Sequence, residues 1–123
     1  MELKQVEKNG QRIAVITGEA PLITDVQSAL DLIMTVKYET GCQRIAIDKT
    51  AITESFFQLR SGLAGEVLQK FVNYHIKAAI YGDYSQYTSK ALKDFIYESN
   101  SGSQILFPKT QEEAVERLSN LSV

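Results

Sequence analysis

The run Ile76–Tyr81 is the stretch that most narrows what this chain can fold into. Ile76, Ala78, Ala79, Ile80 and Tyr81 are too few for a helix and too apolar for a strand with one wet face. A run of that kind predicts a strand covered on both sides. Gly82-Asp83 then breaks it, and Ser85, Thr88 or Ser89 each offers an oxygen to cap a helix N-terminus. Thr88, Ala91, Leu92, Phe95, Ile96 and Ser99 follow at helical spacing, with Lys90, Lys93, Asp94 and Tyr97 opposite them. Asn100-Ser101-Gly102 ends the helix. Strand, tight turn and helix make the central β-α unit of an α/β domain.

The flanking sequence repeats that unit. Asn9-Gly10 lies between two β-like runs, about 2–8 and 11–17, and both residues tolerate positive φ, so a hairpin is expected. After the loop Gly18–Pro21, Thr24 or Asp25 caps a helix to about Tyr38, with Val26, Ala29, Leu30, Ile33 and Met34 as its apolar stripe and Gly41 as its stop. Arg44–Lys49 is a third strand. Thr53–Leu59 is a short helical turn, and Ser61 caps a helix to about Tyr74 along Leu63, Ala64, Val67, Leu68 and Phe71. Gln104–Phe107 is a fifth strand closed by Pro108. Thr110 caps a last helix, whose Glu112 and Glu113 favour the positive end of its dipole.

The expected architecture is therefore one α/β domain over residues 1–123: an N-terminal β-hairpin, then alternating helices and strands on a mainly parallel five-stranded sheet. Ligands and partners of such sheets use the rim at the carboxyl ends of the strands. Here that rim carries Gly18–Glu19, Asp48–Thr53, Gly82–Ser85 and Pro108–Thr110. A net charge of −2 gives no electrostatic case for nucleic acid or an anionic membrane. No apolar run approaches the roughly 20 residues that span a bilayer, and the polar, alternating start is unlike a signal peptide. The single cysteine, Cys42, has no intramolecular partner, which points to a reducing, cytoplasmic compartment.

Candidate chemistry sits on that rim. Asp48 and Asp83 both end parallel strands; together they suit a divalent cation or acid–base work, and singly they suit turn capping, the commoner role. Gly62 and Gly65 open a helix whose free N–H groups suit an anion, against a reading in which small residues allow close packing. Neither the Gly-Lys-Ser/Thr of a phosphate loop nor a dinucleotide fingerprint is present. His75 and Cys42 lie at the amino end of the sheet without a catalytic partner, and there is no Cys/His cluster, so no catalytic residue, metal or cofactor is assigned. Among the mid-chain aromatics, Phe56 or Phe57, Tyr84 and Tyr97 are expected to supply a protein interface.

The run from Phe56-Phe57 through Leu59-Arg60-Ser61-Gly62-Leu63-Ala64-Gly65-Glu66 to Tyr74 resembles an uncharacterised bacterial family, domain of unknown function family 4180. Gly82-Asp83-Tyr84-Ser85, Thr88-Ser89-Lys90 and Asp94–Asn100 extend the likeness over nearly the whole chain. The element order also resembles STAS domains, the fold of anti-sigma-factor antagonists. In those a loop after the third strand, Asp-Ser-Ser-Gly-Leu-Gly, opens a helix and carries a phosphorylated serine. Ser61-Gly62-Leu63 matches that loop, whereas Leu59 and Arg60 stand where an acidic residue and a serine would. That likeness implies a non-enzymatic interaction or regulatory module, with a protein partner or self-association through Phe56–Glu66, Gly82–Ser85 and the exposed side of the 88–100 helix. The alternative is a small-molecule or anion-binding enzyme using Asp48, Arg60, Glu66, Asp83 and Ser85. A pocket of a few hundred Å3 lined by these side chains favours the second, and a flat or convex apolar patch the first.

Overall fold

The computed structural model describes residues 1–122. The hairpin forms where Asn9-Gly10 places it. β1 (Glu2–Lys8) and β2 (Gln11–Thr17) pair antiparallel around Asn9 at φ 53° and Gly10 at φ 76°. β3 (Arg44–Asp48), β4 (Lys77–Tyr81) and β5 (Ile105–Leu106) then add in parallel, giving the order β1-β2-β3-β4-β5. The sheet is mixed and mostly parallel.

Because each parallel strand adds on the same side, right-handed crossovers place their helices on one face. α1 (Val26–Thr40), α2 (Leu63–Asn73) and α3 (Lys90–Asn100) cover that face. Ala14, Ile16, Ile45, Ile47, Ala78 and Ile80 of the sheet share its core with Ile33, Val67, Phe71 and Leu92 of the helices. α4 (Gln111–Ser119) follows the last strand and folds back over the opposite face. There Ala114 and Leu118 bury against Ile13, Val15, Ala46, Ala79 and Leu106. Alternate strand residues thus serve two cores, which accounts for the unbroken apolar runs.

The caps are local chemistry. Asp25 accepts from Ser28 N at 2.8 Å, while Ser28 Oγ accepts from Asp25 N, a reciprocal pair that fixes the start of α1. Ser89 and Thr110 cap α3 and α4 in the expected way.

Four details differ from the sequence reading. α1 continues to Thr40, and its buried side is Ala29, Leu32, Ile33 and Val36, leaving Met34 at 42% exposure. α2 begins one residue later than a Ser61 cap implies. Gly62, at φ 79°, holds the N-cap position, and Ser61 Oγ accepts from Leu63 N at 3.2 Å. The Thr53–Leu59 turn resolves into separate short 3-10 turns, Glu54–Phe57 and Leu59–Ser61. β5 is two residues long because Phe107 N donates to Asn100 Oδ1 at 2.6 Å, and Pro108 has no N–H to continue the ladder.

Candidate functional site

β3 and β4 run in register, with Asp48 opposite Tyr81, so the chain emerges from both at the same level. The next residues, Lys49 and Gly82, meet side by side. A Cβ on Gly82 would lie 2.7 Å from Lys49 Cβ, closer than side-chain carbons pack, so only glycine fits there. The neighbouring loops join the same border. Leu22 N and Ile23 N donate to Ala51 O, Thr53 N donates to Ile23 O, and Gly82 N donates to Pro108 O at 3.1 Å. Segments 18–23, 48–57, 82–87 and 108–110 therefore form one rim at the carboxyl ends of the strands.

Lys49 lies at the centre of that rim. Its side chain is 12% exposed and its ammonium sits 3.2 Å from Glu54 Oε1. Aromatic rings close around it, with centroids at 5.1 Å (Phe57), 4.9 Å (Tyr87) and 6.0 Å (Tyr84). A cation over ring faces is attracted by their negative quadrupole. The rings pack on one another, Phe57 against Tyr84 at 5.8 Å and against Tyr87 at 5.5 Å. Tyr87 donates its hydroxyl to the Glu54 carboxylate at 2.9 Å, and Tyr84 donates to Ile80 O at 2.7 Å. One ammonium thus joins the loop after β3 to the loop after β4.

The ionisable groups here are shifted in a common sense. Burial pulls the Lys49 ammonium down, but Tyr87 and Glu54 outweigh it, so the group holds its proton above the usual lysine range. Burial pushes the Tyr84 hydroxyl well above the ordinary tyrosine value, and the Tyr87 hydroxyl upward as well. Asp83 is held below the usual carboxylate range, first by Ser85 and then by the cations Lys49 and Lys109. Each shift moves its group away from neutrality, whereas acid–base catalysis needs a group brought toward it.

The expected site residues fall into three sets. Asp48, Asp83, Tyr84 and Ser85 lie on the shared rim. Both aspartates spend an oxygen on turn geometry: Asp48 Oδ1 accepts from Thr50 N and Thr50 Oγ1, and Asp83 Oδ1 from Ser85 N at 2.9 Å. Phe56 and Phe57 are a correction. They are 1% and 4% exposed, so neither ring is an open contact surface; the apolar core outcompetes the surface for two adjacent phenylalanines. Arg60, Ser61, Gly62, Gly65 and Glu66 form a flank. Ser61 donates to Ser55 O at 2.7 Å, and Gly65 and Glu66 share a shallow hollow with Val26 of α1. A Cβ on Gly62 or Gly65 would meet open space, so neither glycine serves close packing. None of the three hollows described on the surface is lined by Asp48, Arg60, Asp83 or Ser85.

Sequence reasoning missed Lys49, Glu54 and Tyr87. The usable signal was positional: Lys49 follows the last residue of one parallel strand, and a glycine follows the last residue of the next.

Among the described residues no group of three or more histidine, cysteine or carboxylate side chains is placed to hold a metal ion. Among them, too, no helix is long and apolar enough to cross a membrane. A family model described as a domain of unknown function, DUF4180, matches residues 8–118, nearly the whole chain. No curated protein and no solved structure matches it.

Proposed function

We propose, for a chain that belongs to the domain of unknown function family DUF4180, a non-enzymatic role: a STAS-like module that binds a protein partner through the rim at the carboxyl ends of its strands. The observation that carries this reading is Lys49. In open α/β sheets ligands bind outside the carboxyl ends of the strands. Here the border between the loops that leave β3 and β4 is filled by the chain's own side chain, packed under Phe57, Tyr84 and Tyr87 and neutralised by Glu54. A filled, rigid border suits surface recognition better than substrate turnover. The fixed charge states of Lys49, Asp83, Tyr84 and Tyr87 support the same reading.

The STAS-like element rests on the order of strands and helices and on Ser61-Gly62-Leu63 at the opening of α2. The contact surface comprises the Asp83–Ser85 turn, the Arg60–Glu66 flank and the outer side of α3, where Tyr97 stands 76% exposed. Exposed tyrosine is favoured in interfaces because a rigid ring gains area at small entropic cost. The partner is expected in the cytoplasm of a bacterial cell.

Photo-crosslinking tests this directly. A photo-reactive residue is placed at Ser85, Arg60 or Tyr97 of the full chain in its native host, and at Tyr38 on α1 as a comparison. Discrete protein adducts from the first three positions and not from Tyr38 are expected, with adducts of twice the chain mass identifying a second copy. No adduct from any rim position, or the same adducts from Tyr38, would overturn the reading.

A further inference from the structure

The opposite end of the sheet holds a cleft of ≈ 560 Å3 at the amino ends of β2, β3 and β4. Arg12, Arg44, His75 and Lys77 line it, and Cys42 and Val72 supply apolar wall. Its lining contains no carboxylate. Among the described residues, the ion pairs use Lys8, Lys49 and Lys90, so Arg12, Arg44 and Lys77 have no acidic partner.

Among the described residues these cations bond to neutral groups. Arg12 donates to Thr40 O at 2.9 Å and Lys77 to Ser103 O at 2.9 Å. Arg44, 5% exposed, donates to Leu118 O and Leu121 O at the end of α4. Helix carboxyl ends offset part of this charge, since each carries roughly half a negative charge. The lining thus gathers three fixed cations and no carboxylate in a chain whose net charge is −2; the nearest acid by strand register is Glu7, opposite Arg12 and outside the lining.

His75 adds a second, independent feature. It sits just past α2 at φ 58°, with its N–H on Val72 O and the following N–H on Phe71 O. That bonding pattern closes a helix through a left-handed residue, the place where glycine is usual. A histidine there carries backbone strain, and the residue is part of the cleft wall.

We propose that this cleft binds a small oxyanion, a phosphate- or carboxylate-bearing metabolite. Arg12 and Lys77 hold the anionic group, His75 is a further donor, and the body of the ligand lies against Cys42 and Val72. The buried Arg44 fixes positive charge behind the site. The volume falls within the range of small-molecule sites. This inference is independent of the carboxyl-end rim.

The test titrates the full chain with inorganic phosphate and, separately, with citrate, at constant ionic strength, following amide chemical shifts. Saturable shifts are expected at Gly41, His75 and Lys77, and not at Asp83 or Ser85. Saturation by phosphate alone assigns a phosphate-bearing ligand, and saturation by citrate alone a carboxylate-bearing one. The double variant Arg12→Gln/Lys77→Gln should weaken binding at least about tenfold, the worth of one charged hydrogen bond, whereas Lys90→Gln should leave it unchanged. His75→Gly should raise the thermal midpoint of the ligand-free chain yet weaken binding, a split that a purely structural histidine would not give. Absence of saturation with both anions would overturn the proposal. So would equal affinity in the double variant, or, if that variant does not fold, unchanged affinity in His75→Gly.

Discussion

Glycines 82 and 65 are the same residue under opposite constraints. Gly82 faces Lys49 Cβ at 2.7 Å and Lys49 Cδ at 3.1 Å from where its own Cβ would stand. Gly82→Ala must push Lys49 off the rings around it, which should cost about 1–3 kcal/mol, as overpacking does. Gly65 lies exposed within the first turns of α2, and its Cβ would meet nothing within 4 Å. Gly65→Ala should therefore stabilise the chain by about 0.5–1 kcal/mol through helix propensity alone. Urea denaturation of the two variants checks both signs. Equal effects would mean that Gly82 is not held against Lys49.

At the scale of elements, the turn from Gly82 to Tyr87 links the rim to pH. Tyr84 ionises near 10 in the unfolded chain, while burial raises it well above that in the folded one. The unfolded state therefore releases a proton above pH 10 that the folded state retains. The unfolded chain then binds fewer protons, and stability falls as pH rises. Lys49, raised in the folded state, is stabilised in its charged form below its unfolded value and loses that contribution as pH rises through the folded one, so it works in the same direction. Denaturation midpoints should be level from pH 7 to 9 and fall beyond pH 10. In Tyr84→Phe the fall should be shallower, although the baseline is lower because the bond to Ile80 O is lost. An unchanged slope in that variant would show that Tyr84 is not the group responsible. The elements themselves were legible because each has a local cause: Asn9-Gly10 for the hairpin, Asp25, Ser89 and Thr110 for caps, and Gly41 for the end of α1. The ends of β5 and the start of α2 were not. They depend on Asn100 reaching Phe107 and on the left-handed Gly62, neither of which shows as a period in the sequence.

At the scale of the molecule, three helices on one face and α4 on the other bury the sheet completely enough to leave function to its two ends. The rim at the carboxyl ends was legible from the alternation of strands and helices, and the two segments expected to meet there do so through residues 48–57 and 82–87. What occupies its centre was not legible, because a lysine gives no sign in sequence that three rings from two loops will close over it. That closure is the central claim, and a double-mutant cycle between Lys49→Met and Tyr87→Leu measures it. Both residues sit in different β-α units, and their interaction should survive subtraction of the single effects. A favourable coupling of about 0.5–2 kcal/mol in urea denaturation at neutral pH is predicted. Additivity within about 0.3–0.5 kcal/mol, the behaviour of independent sites, would contradict it.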